Sequence, residues 1–295
     1  MTSPATELDM AAAYDHCRTV TKREARNFYY AFVTLPVIRR RSIYAVYAFS
    51  RMADDIADGS DLAEAKARRL GELRSELRAA LAGAPLGPVM MALADTAQAY
   101  DIHQRLFEEI IAGVEMDLTV RRYETFDDLK QYCEKVASAV GLISIQIFGY
   151  DDPAAKEYAS DLGLAMQLTN ILRDLKEDMA QDRVYLPQED LRVFGYSEAD
   201  LHAGKIDEHF AALMAFQAER TRAYFDSGAK LFPLLAPRSR GCAVGLHSLY
   251  SLLLARMERR GYDVFSERMS LPAWRKLLLT SWLLASSVIP WLRKS

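Results

Sequence analysis

The sequence predicts an all-α, single-domain protein, and three observations carry that prediction. Apolar residues recur at helical spacing along most of the chain, while alternating, strand-like runs are scarce. The chain has 295 residues, 51% hydrophobic and 26% charged. That suits a domain able to bury a large core and still enclose a cavity. No repeat, low-complexity tract or Gly/Ser/Pro-rich linker divides residues 1–295, so they read as one unit of roughly eight to ten helices.

The elements follow in chain order. Pro36 precedes a strongly patterned segment over residues 37–58. A polar segment over 61–81 ends at Gly83, Pro85, Gly87 and Pro88. Asp101 stands in cap position before a helix over 102–120. Residues 125–148 form one helix, closed by Gly149. The Asp151-Asp152-Pro153 run opens another that reaches Asp178. Residues 181–190, marked by Pro187, read as a loop. Two long helices fill 206–235 and 238–260, and Pro272 opens the last one.

Composition excludes several classes. A net charge of −3, from 37 basic and 40 acidic residues, offers no basic footprint for nucleic acid. Cys17, Cys133 and Cys242 are odd in number and widely spaced. They argue against a disulfide framework or a zinc site and point to the reducing cytoplasm. Residues 1–10 have neither a basic nor an apolar signal region. The apolar stretch at 277–292 is 16 residues long and polar in places, short of the roughly 20 that a spanning helix needs. It reads as a packed helix or, through Trp282 and Trp291, as a peripheral membrane contact.

Two acidic clusters carry the chemistry. In the first, Asp54 and Asp58 lie four apart on one helix face, where like charges repel. A hard cation with oxygen ligands would offset that repulsion. Magnesium takes one or two carboxylates and completes its shell with water and phosphate oxygens. Taken alone, the pattern reads equally well as a solvated helix face. In the second, Asn170, Asp174 and Asp178 recur every four residues with Gln167 beside them. The residues before them, Leu162, Leu164, Ala165, Met166 and Leu168, are apolar on nearly all sides, so this helix is buried. Buried carboxylates need partners or metals. Two such helices across a cavity would hold magnesium ions that neutralise a diphosphate leaving group. Ionisation of an allylic diphosphate then needs a dry cavity lined by aromatic faces. Tyr44, Tyr47, Phe49, Phe28, Tyr29, Tyr30 and Phe32 lie near the first motif, though most of them read as core.

At these residues the sequence resembles the squalene/phytoene synthase family. Residues 44–58, YAVYAFSRMADDIAD, resemble its first aspartate-rich motif. Residues 161–187, DLGLAMQLTNILRDLKEDMAQDRVYLP, resemble its second, and GVEMDL at 113–118 is also similar. The resemblance implies the all-α isoprenoid synthase fold and a head-to-head (1′-1) condensation. It places magnesium on Asp54 and Asp58 from one wall and on Asn170, Asp174 and Asp178 from the other. Arg51, Arg173, Arg183 and Arg268 would contact diphosphate oxygens, as a guanidinium fork can. Tyr47, Tyr132, Tyr185 and Tyr250 would face the reacting carbons or the diphosphate, with Gln167 in the same cavity and Phe28 against the substrate. Asn27 stands where the family often carries Ser, and it keeps a donor for diphosphate.

The resemblance favours bacterial enzymes that join two farnesyl diphosphates into presqualene diphosphate, or onward to squalene with NADPH, for hopanoids. Phytoene or dehydrosqualene synthesis is the alternative. Intact aspartate motifs argue against a non-catalytic assembly factor, and the QLTNILRD wording against a terpene cyclase. Phe28, Phe32 and Leu164 are candidates for setting chain length, and residues 181–190 are expected to close over the diphosphate.

Overall fold

The computed structural model describes residues 4–25, 28–267, 269, 270 and 280. Asn27, Arg268 and, Thr280 aside, the 277–292 segment with Trp282 and Trp291 lie outside the described residues. Fourteen α-helices account for most of what is described, and the only β-structure among those residues is two isolated bridges, Arg122 with Val184 and Tyr150 with Leu235. The helix count exceeds the expected one because predicted helices are broken and short ones fall in the connections.

The first six helices are α1 (Pro4–Glu24), α2 (Phe28–Phe32), α3 (Val37–Asp58), α4 (Ala63–Leu81), α5 (Gly87–Ala99) and α6 (Gln104–Thr119). Pro36 opens α3 as expected, since its fixed φ suits a helix start and its missing N–H costs nothing there. The cap of α6 is His103, whose Nδ1 accepts from the Arg105 N–H at 3.1 Å. Asp101, expected in that role, sits instead in the left-handed turn before it, at φ 50°.

The helix expected over 125–148 starts at Thr125, which forms a reciprocal capping box with Asp128. It is interrupted, giving α7 (Phe126–Cys133), a π-helical turn (Glu134–Ser138) and α8 (Ala139–Phe148). The turn packs between α6 and the next helix, α9 (Ala155–Arg173), because both present glycine to it. A Cβ on Gly113 would lie 2.5 Å from Val136 Cγ1, and one on Gly163 2.7 Å from the Ala137 carbonyl oxygen. Single π-turns of this kind gather at functional sites.

The helix expected to reach Asp178 breaks at Asp174, where φ −101° and ψ 19° leave the helical region. It resumes as α10 (Leu175–Ala180). The Asp178 N–H still bonds the Asp174 carbonyl at 2.9 Å, so the four-residue spacing survives the break. Then come α11 (Gln188–Val193), α12 (Glu198–His202), α13 (Glu208–Ala229) and α14 (Pro237–Arg259). Helix α3 packs among α1, α5 and α6, while α9 packs along α13, α8 and α14. Phe49 and Phe107, edge to face at 5.8 Å and fully buried, join α3 to α6. Cys17, Cys133 and Cys242 are free and buried. No helix among the described residues is long and apolar enough to cross a membrane.

Candidate active site

Helix α3 supplies one side of the site. Its apolar face is buried through Ala45, Ala48, Phe49, Ala53 and Ile56, and that fixes the rotation of the rest of the helix. Asp55 is turned out to solvent and pairs with Arg51, whose Nε donates to it at 2.7 Å. Asp54 is hemmed in by protein yet keeps an accessible face, and Asp58 is about half exposed at 49%. Burial, with Asp58, Asp117 and Asp55 nearby and only Arg51 opposing, pushes the Asp54 carboxyl up to about 7.

The α9–α10 junction supplies the other side. Arg173 and Asp174 are nearly buried and paired, with Nε donating at 2.7 Å. Asp178 is pushed up to about 8, by burial first and then by Asp174, while Arg183 pulls the other way. Asn170 donates to Gln167 Oε1 at 3.3 Å. Tyr250 of α14 is buried beside Asn170 and Arg173.

Asp117, on α6, joins the two sides. It is buried and accepts from the Tyr185 hydroxyl at 2.7 Å and the Tyr132 hydroxyl at 3.1 Å. Its charge is felt by Asp54 on one side and Asp178 on the other. Desolvation raises its carboxyl, against the two phenols and Arg183. The Tyr132 and Tyr185 rings stack at 5.2 Å, and Tyr123 stacks on Tyr185 at 5.8 Å. Across the site, Phe28 lies 6.1 Å from Tyr47 and 5.7 Å from Tyr250, with Phe32 stacked behind it at 6.0 Å. Leu164 is buried. Two open surface grooves, one lined by Ala63, Ala112 and Glu115 and one by Ala215, Arg222 and Glu258, involve none of these residues.

Two orphaned atoms test what the site could hold. Arg183 is only 8% exposed, its guanidinium lies 3.9 Å from Asp58, and its Nε–H is buried without an acceptor. Asn170 Oδ1 is a buried acceptor without a donor. A buried donor on a cation fits an anion, and a buried amide oxygen beside carboxylates fits a hard cation. Among the described residues no three His, Cys, Asp or Glu side chains gather tightly enough to hold a metal by themselves. Magnesium does not require this, since phosphate oxygens and water complete its shell. Asp54, Asp58, Asn170 and Asp178 fit it as ligands.

A pH dependence follows from the raised carboxyls. In the unfolded chain Asp54 and Asp178 ionise near 3.8, but in the folded, metal-free protein they hold their protons to about 7 and about 8. Between those limits the unfolded chain binds fewer protons, so stability falls as pH rises. His247, lowered by burial, acts in the opposite direction near 6.5, but it cancels when each pH is compared with and without metal. A magnesium ion held by Asp54 and Asp178 would require their ionised forms, so the rise in Tm it produces should grow from pH 5.5 to pH 8. Differential scanning fluorimetry checks this, and a magnesium shift independent of pH would contradict it.

The segment 181–190, read from sequence as a loop, is tied to the chain ahead of α7 by backbone hydrogen bonds, and its last three residues open α11. Val184 N–H bonds the Arg121 carbonyl at 3.0 Å, Gln188 N–H the Tyr123 carbonyl at 2.9 Å, and Glu189 N–H the Glu124 carbonyl at 3.0 Å. These bonds pin Arg183 and Tyr185 in place. The sequence reading also missed Asp117 and Tyr123. A signal for Asp117 was present: Phe107, Ile110 and Val114 mark the buried stripe of α6, and Asp117 is the next position on it.

A helical chain with two facing acidic sides around a buried aromatic cluster defines the class: this is the all-α isoprenoid synthase fold. The squalene/phytoene synthase family model matches residues 21–275. The phytoene synthase of Arthrospira platensis is 38% identical over 94% of this chain and 93% of its own. A dehydrosqualene synthase solved with a ligand superposes with a TM-score of 0.87 at 29% identity, over 95% of this chain and 98% of that one. The squalene synthase HpnC of Alicyclobacillus acidocaldarius gives 0.80 at 29%, over 86% and 96%. The chain belongs to the squalene/phytoene synthase family of head-to-head prenyltransferases and is an enzyme.

Proposed function

We propose that the enzyme joins two molecules of geranylgeranyl diphosphate head to head to give phytoene, with the farnesyl route to a thirty-carbon product as the alternative. The convergence of Asp54 and Asp178 on Asp117, beside the buried, unpartnered Nε–H of Arg183, carries the diphosphate chemistry. The chain-length preference rests on similarity: the curated phytoene synthase is 38% identical, against 29% for the solved squalene and dehydrosqualene synthases. That places first what the sequence reading had placed second. Phe28, Phe32 and Tyr250 form one cluster beside Tyr47, so Phe28 and Phe32 line the reacting end more naturally than the far end of a tunnel.

When bound, magnesium supplies positive charge to the departing diphosphate. Arg183 offers its free N–H to a diphosphate oxygen, and Arg51 and Arg173 reach it from either side. Phe28, Tyr47 and Tyr250 present ring faces that stabilise a carbocation without attacking it. Tyr132 and Tyr185 donate hydrogen bonds to Asp117, which leaves their oxygen lone pairs available to stabilise a nearby cation. The phytoene route consumes no hydride, and NADPH matters only if a thirty-carbon product is reduced to squalene.

Competition between farnesyl and geranylgeranyl diphosphate, with product masses read with and without NADPH, tests the assignment. The forty-carbon hydrocarbon should dominate and be indifferent to NADPH. A dominant thirty-carbon product would overturn the chain-length reading and restore the farnesyl one.

A further inference from the structure

Arg122 lies outside both aspartate motifs, yet among the described residues around the site its side chain makes five directed hydrogen bonds. Its Nε donates to both oxygens of Glu198, at 2.8 and 2.9 Å. Nη1 donates to the carbonyls of Asp182, at 2.6 Å, and Arg121, at 2.9 Å. Nη2 donates to Asp182 Oδ1 at 2.9 Å. Glu198 is itself fixed, as the first residue of α12 and the acceptor of Gln188 Nε2 at 2.8 Å.

The residue gripped is the one before Arg183. Asp182 sits at φ 57°, a left-handed conformation that side chains other than glycine rarely adopt. There the chain leaves α10 and turns so that the Arg183 N–H returns to the Asp178 carbonyl at 2.9 Å. The same turn aims the Arg183 guanidinium toward Asp58. One residue further, Val184 pairs with Arg122 in a parallel bridge. Both the backbone and the side chain of Asp182 are therefore held by a single guanidinium.

We propose that Arg122 is a positioning residue for diphosphate binding: it holds the Asp182 turn so that Arg183 meets the leaving group. This rests on the diphosphate reading above. A lysine could not replace it, because one ammonium cannot span the Glu198 carboxylate, the Asp182 carbonyl and the Asp182 carboxylate together.

Inorganic pyrophosphate with magnesium is the probe, titrated calorimetrically into the full-length protein. Arg122→Ala and Arg122→Lys should each weaken its binding by about tenfold or more, with KM for the prenyl diphosphate rising alongside. If Arg122 acts through Arg183, Arg122→Ala should cost little further affinity in an Arg183→Ala background, the non-additivity of coupled residues. A brace that only stabilised the fold would lower Tm and leave pyrophosphate affinity unchanged. That result, or fully additive losses in the double variant, overturns the proposal. Should Arg122→Ala fail to fold, Arg122→Lys and Glu198→Gln carry the same comparison. Failure of the unaltered protein to bind magnesium pyrophosphate would instead overturn the diphosphate reading itself.

Discussion

Asp54→Ala and Asp178→Ala are each expected to lower turnover by at least about a hundredfold, a loss typical of removing a preorganised charge that stabilises a transition state. The fold should survive both changes. Asp54 is crowded by Asp58, Asp117 and Asp55, and Asp178 by Asp174, Asp117 and Glu177. Removing either carboxyl relieves repulsion, so the metal-free Tm should hold or rise. Asp174→Ala should behave differently. Its carboxylate pairs with the nearly buried Arg173, and losing it strands a buried guanidinium, so Tm should fall along with activity. Steady-state kinetics beside thermal melts separate the cases. Near-normal turnover in Asp54→Ala or Asp178→Ala would remove that residue from the metal site.

Asp117→Ala is expected to cut turnover by tens of fold and to destabilise the protein, because the buried Tyr132 and Tyr185 hydroxyls lose their shared acceptor. Stranding a buried polar group costs about 1–3 kcal/mol. Asp117→Asn keeps one acceptor oxygen, so it should fall between Asp117→Ala and the unaltered enzyme in both Tm and turnover. The Tyr132→Phe and Tyr185→Phe variants separate the phenols from the carboxylate. If Asp117→Ala matches the unaltered enzyme in rate, the carboxylate has no part in holding the reacting site.

The residues with the strongest local signals were legible. Val37–Asp58 reads correctly from Pro36 and its apolar period, and both acidic motifs stand out because four-residue spacing puts charges on one face. The breaks were not legible. The π-helical turn at Glu134–Ser138 arises from glycines on two other helices, Gly113 and Gly163, so no local propensity announces it. The break at Asp174 falls inside an otherwise regular pattern, where Arg173 and Asp174 pair side by side. The pinning of 181–190 depends on backbone acceptors at Arg121, Tyr123 and Glu124, about sixty residues away, which no motif encodes. Asp117 carried only a faint signal, as the next position on the buried stripe of α6 and a member of the GVEMDL segment, and its place in the site emerges only when two tyrosines from elsewhere converge on it.

The most direct measurement is product formation from geranylgeranyl diphosphate alone, with the purified full-length chain, before and after chelation of divalent ions. With magnesium, the 1′-1 joined hydrocarbon and released pyrophosphate should accumulate together. Chelation should stop both, and added magnesium should restore both. Condensation that continues unchanged in chelator, or a product joined head to tail, would contradict a site in which two carboxylate walls hold the metal that carries away the diphosphate.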